Sequence, residues 1–213
     1  MAWASRIKKS FVATERDALP NLWRRHLAAL LNEVDAGRLV FRDESFCSTH
    51  RVREYGWAPV GQRAVGPRPG GRWRTLTLIG AIRLGCRPKL MTHPGAINGA
   101  VFLRFVRQRL CPWHKSNDIV LMDNLSAHKV RGVRQAVDAV GARVVYLPTY
   151  SPDFNPIELW WADLKRHLRG LGPRALTELT RAVRRLRAAT PLTKLSAWFR
   201  RRLSFPQLNR VLR

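Results

Sequence analysis

The sequence predicts an α/β fold in which a mixed sheet, with antiparallel early strands and parallel later strands, is flanked by helices. Two segments with strand character, residues 38–45 and 73–86, are separated by a stretch rich in Gly and Pro that is typical of turns. Residues 118–147 then contain a strand, a helix and a second strand within about 30 residues, which is the βαβ unit of parallel sheets.

In the first half of the chain, the residue pattern predicts a helix at each end and strands between them. Apolar residues recur at helical spacing up to Gly37, which ends the first helix. In order, we predict a helix over residues 14–36, strands over 38–45, 73–86 and 89–92, a short strand near 62–65, and a helix over 98–110.

The second half begins with the continuous apolar run DIVLMD (Asp118–Asp123), which suits a strand buried on both faces of a parallel sheet. Gly141 suits the end of the next helix, and Pro156 suits the first turn of a later one with Asn155 as its N-cap. The remaining elements are predicted as a helix over 126–140, a strand over 143–147, and helices over 156–168, 174–188 and 192–203.

The charge of the chain points to a polyanionic partner, most simply nucleic acid. Lys and Arg number 39 against 14 Asp and Glu, giving a formal charge of +25, whereas 46% hydrophobic residues exclude a wholly disordered chain. Residues 55–117 contain no acid, and residues 165–213 contain 14 basic residues with Glu178 as their single acid. An Arg-rich proteome would explain the choice of cation, but it would not explain the missing acids.

The sequence also predicts a cytoplasmic location without a membrane span. No apolar run approaches the roughly 18–20 residues of a spanning helix, and the N terminus lacks the apolar stretch of a secretory signal. Cys47, Cys86 and Cys111 show no CxxC spacing, so they fit a reducing compartment better than a disulfide framework or a zinc site.

Three acids stand where the predicted fold would bring them together. Asp43 lies near the end of the first strand, Asp123 ends the DIVLMD strand, and Glu158 lies in the first turn of a helix. The 34 residues between Asp123 and Glu158 hold a crossover helix, a parallel strand and a return loop, which bring the chain back to the same sheet edge.

Converging carboxylates repel one another, and a divalent metal ion would relieve that repulsion. We predict a site for Mg²⁺, or Mn²⁺, with two ions roughly 3.5–4 Å apart acting in phosphodiester cleavage and transfer. Other roles stay open for each acid. Glu44 could be the ligand in place of Asp43, Asp123 could cap a helix, and Glu158 could complement a helix dipole.

Four segments carry a closer resemblance. Leu147–Lys165 (LPTYSPDFNPIELWWADLK) resembles the third signature of DDE transposases of the mariner superfamily, in the bacterial insertion-sequence branch of the insertion sequence 630 type. Leu121–Lys129 (LMDNLSAHK) resembles the second signature, Val40–Phe46 (VFRDESF) the first, and Tyr55–Ala64 (YGWAPVGQRA) the stretch that follows it. The resemblance covers roughly residues 38–170, and its third motif is highly specific.

This resemblance implies an RNase H-like fold and the triad Asp43, Asp123 and Glu158 as metal ligands and catalytic residues. It implies Mg²⁺-dependent cutting of double-stranded DNA at transposon ends, strand transfer to target DNA, a homodimer on DNA, and a bacterial, nucleoid-associated location. The positions that match motif residues or neighbour the triad, and are given supporting roles, are Glu44, Asn124, His128 and Asn155.

The predicted organisation is a basic leader and amphipathic helix over 1–37, a catalytic domain over 38–170, and basic C-terminal helices over 171–213. About 37 residues precede the first strand, fewer than the helix-turn-helix modules of the family occupy, so we expect end recognition from a separate polypeptide or its loss. The alternative functions are a remnant that only binds DNA and a stand-alone RNase H-like nuclease.

Basic and aromatic residues outside the triad are assigned to DNA contact or to packing in the core. Those predicted to contact DNA phosphates are Arg63, Arg72, Arg74, Lys129, Lys165, Arg184 and Arg185. For the tryptophans, packing in the core is favoured over stacking on bases, and Trp160 and Trp161 are not expected to face the same way on a helix, so one is expected to be partly exposed.

Overall fold

The computed structural model describes residues 27–29, 31, 33–66, 70–124, 130–147 and 154–203. Within these residues it forms one five-stranded sheet. The strands are β1 (Leu39–Ser48), β2 (Thr75–Arg83), β3 (Cys86–Pro94), β4 (Ile119–Met122) and β5 (Arg143–Tyr146). Their order across the sheet is β3-β2-β1-β4-β5.

The prediction of a mixed sheet is confirmed by the strand pairing. β1 runs antiparallel to β2, and β2 runs antiparallel to β3. β4 lies parallel to β1 on one side and to β5 on the other. β4 is apolar because it lies between β1 and β5 and is covered on both faces, as expected for a parallel strand.

Helices cover both faces of this sheet. They are α1 (Gly99–Phe105), which continues as a π-helical turn at Val106–Leu110, α2 (Arg131–Asp138), α3 (Ile157–Leu171), α4 (Leu176–Ala189) and α5 (Leu192–Arg202). Gly172 ends α3 in the left-handed conformation with φ of 55°, a position that glycine adopts without strain.

Alternation along the strands sends neighbouring side chains to two separate cores. Val40 and Val120 pack with buried residues of α1 and α2. Phe41 and Leu121 pack on the other face with buried residues of α3, α4 and α5. The side chain two residues beyond Phe41 along β1 therefore faces α3.

Three contacts, two from α5 and one from the turn that precedes it, tie this part of the chain to the rest of that face. Phe199 of α5 meets Phe41 of β1 edge to face, with ring centroids 5.5 Å apart. The Lys194 ammonium donates to the Asp163 carboxylate of α3 at 2.7 Å. Trp160 of α3 donates its indole N–H to the Thr190 hydroxyl, between α4 and α5, at 3.2 Å. The division into a catalytic domain and C-terminal helices stays a prediction.

A buried ionic cluster joins the end of β2 to the start of β4. Arg83 forms an ion pair with Asp118, and it donates to the carbonyl oxygens of Gly37 and Trp113 at 3.0 Å each. His114 Nδ1 lies 3.2 Å from the same carboxylate, and burial lowers the pKa of this imidazole. Because both charges are paired, the cluster fixes the position of β4 beside the antiparallel strands.

The structure contradicts one predicted strand and describes two predicted helices only in part. The predicted short strand near Gln62–Val65 is wrong, because residues 51–66 follow an irregular, mostly exposed path without strand structure. The predicted helix over 14–36 falls largely outside the described residues, as do the first residues of the predicted helix over 126–140. No helix in the described part of the chain combines the length and apolarity needed to cross a membrane.

Candidate active site

Asp43 and Asp123 occupy equivalent places on two neighbouring parallel strands. The pairing of β1 with β4 ends at Phe41 and Leu121, and each acid lies two residues further along its own strand direction. β1 is longer than predicted and runs on to Ser48, because its antiparallel pairing with β2 continues past Asp43. Both acids therefore lie where the parallel pairing stops, the usual place for a site in such sheets.

The carboxylate of Asp43 is held at both oxygens. Oδ1 accepts the backbone N–H of Glu44 at 2.7 Å, and Oδ2 accepts the indole N–H of Trp161 at 3.2 Å. Burial, together with the charges of Glu158 and Asp123, raises the pKa of Asp43 to about 7 against the opposing effects of the Glu44 amide and Arg42. A carboxyl with this pKa is partly protonated near neutral pH when no cation is bound.

Glu158 enters the same site from the first turn of α3. Asn155 is buried and prepares this helix start, since its side-chain oxygen accepts the Ile157 N–H at 3.4 Å and its carbonyl accepts the Glu158 N–H at 3.3 Å. The helix begins at Ile157, one residue later than the predicted start at Pro156. Burial raises the pKa of Glu158, and the charge of Asp123 raises it further.

Asp123 is paired with a buried arginine. Arg42 Nη1 donates to Asp123 Oδ1 at 3.3 Å, and the same guanidinium forms an ion pair with Glu44. Arg42 also lies 4.0 Å from the ring centroid of Phe102 in α1. Glu44 thus turns to the face opposite Asp43, as strand alternation requires.

The three acids are coupled by charge without forming a closed ligand cluster. Each pair among Asp43, Asp123 and Glu158 contributes a repulsion that raises a pKa. Among the residues that the structure describes, no three or more His, Cys, Asp or Glu side chains are grouped so as to hold a metal ion as they stand. Asp123 is engaged with Arg42, whereas Asp43 is engaged with Trp161.

Basic side chains form a rim beside Glu158. Lys165 lies about two turns further along α3, with its ammonium 5.3 Å from the ring centroid of Phe46. Arg51 approaches the same ring at 5.4 Å. Burial lowers the pKa of Lys165 and the charge of Arg51 lowers it further, while Arg202 together with Lys165 opposes the rise in the pKa of Glu158. A phosphate placed here would meet several cations.

The other predicted residues divide into three groups. Asn124 is exposed directly after β4, and Asn155 supports the start of α3. His128 and Lys129 lie outside the described residues. The predicted DNA contacts that are exposed are Arg63, Arg72, Arg74, Arg184 and Arg185.

A basic cavity of about 890 Å³ lies beside the end of α3. Its charged lining residues are Arg53, Glu54, Arg63, Arg169 and Arg174. Of these, only Arg63 was among the predicted contacts. Arg169 and Arg174 lie in the acid-poor stretch 165–213, which is their sequence signal, whereas Arg53 and Glu54 precede the acid-free stretch 55–117.

Two functional candidates were missed altogether. Arg42 is fully buried, and its only sequence signal was the charge run Arg-Asp-Glu directly after the apolar start of the strand. Trp161 was expected to pack, but its hydrogen bond to Asp43 was not foreseen. Trp160 and Trp161 are both 1% exposed and stack with centroids 4.5 Å apart, so the expectation that one is partly exposed is wrong.

The remaining tryptophans follow the packing prediction only in part. Trp113 and Trp198 are half-buried. Trp57 and Trp73 are exposed, in the irregular segment between β1 and β2. These two rings are therefore surface residues, contrary to the favoured prediction.

A family model described as "DDE superfamily endonuclease" matches residues 38–179. No curated protein matches the chain by sequence. Among solved structures, the Mos1 mariner paired-end complex with Mn is similar with a TM-score of 0.70 and 20% identity over 96% of this chain and 65% of that chain. The Mos1 paired-end complex with the left transposon end gives 0.68 and 19%, over 97% and 64%.

The catalytic domain of Mos1 mariner transposase is similar with a TM-score of 0.61 and 15% identity, over 91% of this chain and 97% of that domain. The chain thus spans somewhat under two thirds of the length of the first two Mos1 chains and nearly all of the isolated catalytic domain. At these identities the likeness concerns the fold. The chain therefore belongs to the DDE superfamily endonuclease family, and it has the RNase H-like fold of a transposase catalytic domain.

Proposed function

We propose that this chain is the catalytic domain of a transposase that cuts DNA strands at transposon ends and transfers them to target DNA. The bacterial insertion-sequence branch, insertion sequence 630 type, is proposed from the three motifs around Asp43, Asp123 and Glu158. The observation that carries the proposal is the placement of these three acids, pairwise coupled by charge, at one edge of the sheet within the family-matched segment.

The donor set fits a hard divalent cation. Three carboxylates supply the oxygen ligands that Mg²⁺ and Mn²⁺ prefer, and burial with mutual repulsion raises the pKa of two of them. Asp43, Asp123 and Glu158 would hold the metal, in a site for two ions. When bound, such ions would stabilise the developing charge on the attacking and leaving oxygens at phosphorus. Structures of Mos1 with Mg and with Mn support this choice.

The protein groups around the acids have separate tasks. The Glu44 amide and the Trp161 indole orient the Asp43 carboxylate. Lys165 and Arg51 place positive charge beside Glu158, where a strand phosphate would be bound. Among the predicted supporting residues, Glu44 forms an ion pair and Asn155 supports the helix start, whereas supporting roles for Asn124 and His128 stay predictions.

Double-stranded DNA is the proposed partner, and a homodimer on DNA the proposed assembly. The similar Mos1 structures include a complex with a transposon end and a transpososome, and the excess of basic residues here favours the same class of ligand. Exposed apolar residues between β1 and β2, Tyr55, Trp57, Val60 and Val65, offer a surface that a second copy could cover. A separate helix-turn-helix polypeptide and a nucleoid-associated, cytoplasmic location stay predictions.

The decisive experiment measures nicking of supercoiled plasmid DNA with Mg²⁺ or Mn²⁺, alongside DNA affinity by electrophoretic mobility shift. Asp123→Asn and Glu158→Gln should each abolish metal-dependent nicking while DNA affinity stays near that of the wild type. Asp138→Asn, which alters an exposed carboxylate on α2, is the matched control and should nick normally. Nicking retained in both triad variants would overturn the proposal.

The assay also separates the two alternatives. A stand-alone nuclease would cut plasmid and structured DNA with no preference for transposon ends and would not join a pre-cut end to target DNA. A DNA-binding remnant would shift DNA but show no metal-dependent cutting, even when end-binding modules are fused to it.

A further inference from the structure

We infer that Trp161 is a positioning residue for the metal-binding carboxylate of Asp43. Its indole N–H holds one oxygen of that carboxylate, so the affinity of the site for a divalent cation depends on this donor together with the Glu44 amide on the other oxygen. The inference rests on the proposed function, because it assigns to Trp161 a role in preparing the same site.

The contact itself is direct and specific. Trp161 Nε1 donates to Asp43 Oδ2 at 3.2 Å, while the Glu44 amide donates to Oδ1 at 2.7 Å. Indole has one donor and no acceptor, and an ionised carboxylate has about four acceptor positions on its two oxygens. One donor on each oxygen therefore fixes the plane of the carboxylate and leaves acceptor positions for a cation.

The indole is held in place by the sheet beneath it. Gly80 of β2 is the register partner of Asp43 on β1. A Cβ at Gly80 would lie 2.7 Å from Trp161 Cζ2 and 2.8 Å from Trp160 Cζ3, so only glycine leaves room for the two rings. Because Gly80 has no side chain, the Trp161 ring can occupy the space next to Asp43.

The helix gives Trp161 and Glu158 a common orientation. They are three residues apart in α3, so they lie on the same face of the helix, which packs on β1 and β2. One helix face thus supplies both a carboxylate of the site and the donor that orients another carboxylate. A shift of α3 would move both groups together.

Trp160 provides a matched comparison within the same helix. Both rings are 1% exposed, they stack on each other with an interplanar angle of 23°, and both lie against Gly80. Each also donates one hydrogen bond, but Trp160 donates to the Thr190 hydroxyl, away from the acids. Replacing either ring with Phe removes similar volume and one N–H donor, and only the Trp161 change touches Asp43.

The test measures binding of Mn²⁺ alone by isothermal titration calorimetry, together with the Mn²⁺ dependence of plasmid nicking. Trp161→Phe should weaken Mn²⁺ binding about tenfold, the lower end of the usual effect of losing a ligand-orienting group. Trp160→Phe should bind Mn²⁺ as the wild type does. Saturating Mn²⁺ should restore most of the nicking rate of Trp161→Phe, which a general packing defect would not allow.

A second variant covers the case in which Trp161→Phe fails to fold. Benzothienylalanine at position 161 keeps the size of the ring and replaces the N–H with sulfur, and it should show the same loss of Mn²⁺ affinity. Equal Mn²⁺ affinities for the wild type and this variant would overturn the inference. Wild-type protein that neither binds Mn²⁺ nor nicks DNA would instead overturn the proposed function.

Discussion

The guanidinium of Arg42 donates a hydrogen bond to the carboxylate of Asp123 across 3.3 Å, from a side chain with no solvent exposure. Desolvation lowers the pKa of Arg42, whereas Glu44, Asp123 and Asp43 raise it by their charges. A buried cation thus stands next to the acids proposed to hold the metal. It offsets part of their repulsion in the absence of metal.

Replacing Arg42 with Met should lower the free energy of unfolding by about 3 kcal/mol, because it leaves the Glu44 and Asp123 carboxylates without their buried counter-charge. Urea unfolding in metal-free buffer measures this loss. Arg184→Met, at an exposed position on α4, should change the stability by less than about 0.5 kcal/mol. Equal stabilities for the two variants would contradict the role given to Arg42.

Stability without metal should depend on the ionisation of Asp43. Its pKa is raised to about 7 in the folded chain, so the folded state keeps a proton that the unfolded state releases at about pH 4. The stability linked to this proton is present at low pH and is lost as pH rises towards 7 and beyond. Asp43→Asn removes the titration, so its stability relative to the wild type should increase between about pH 5 and pH 8.

That pH effect is measured by urea unfolding in the presence of a chelator. Asp138→Asn, at an exposed position on α2, serves as the control, and its stability should match that of the wild type at about pH 5 and about pH 8. A constant difference between wild type and Asp43→Asn across this range would show that Asp43 does not titrate there.

Gly80→Ala should destabilise the protein by about 1–3 kcal/mol through overpacking, since the new methyl group would overlap both stacked indoles. Thermal or urea unfolding checks the size of the effect. Gly66→Ala is the matched control, because no atom lies within 4 Å of a Cβ at that position. The prediction fails where the two alanine variants are equally stable.

DNA binding should be strongly salt dependent, and the basic cavity should contribute to that dependence. Replacing Arg169 and Arg174 with Ala should weaken binding to all sequences alike and reduce the slope of log affinity against log salt by about 2, one for each lost phosphate contact. Arg134→Ala on α2, across the sheet from α3, should leave the slope unchanged. Fluorescence anisotropy over a salt series provides the measurement.

Most of the fold could be predicted because hydrophobic patterns determine it locally. The apolar run of β4, the turn-rich segment before β2 and the prolines before α3 each left a clear signal. Apart from the strand near Gln62–Val65, the strands and helices predicted after residue 37 correspond to described elements within a few residues. The prediction of a strand near Gln62–Val65 failed because a strand needs a neighbouring strand to pair with, and the sequence pattern alone does not show whether one is present.

The approach of the three acids could be predicted from topology, but their contacts could not. Whether Trp161 or Trp160 meets Asp43 depends on the register that places Gly80 opposite Asp43, and on the angle at which α3 crosses the sheet. The pairing of Arg42 with Asp123 depends on the orientation of side chains beyond the end of β4. The exposure of Trp57 and Trp73 likewise follows from the path of a segment without regular structure.

The contacts of α5 bear on how a gene for this protein can be inactivated. A premature stop codon just after Thr190 would leave the family-matched residues 38–179 and all three acids encoded intact. It would nevertheless remove Phe199, which covers Phe41 two residues before Asp43, and Lys194, which holds Asp163 on the helix of Glu158. Losing a buried Phe alone costs about 3–5 kcal/mol, a large part of the stability of a typical domain. Gene copies with complete motifs but an early stop in α5 are therefore expected to be non-functional, so intact motifs are not a sufficient test for an active copy.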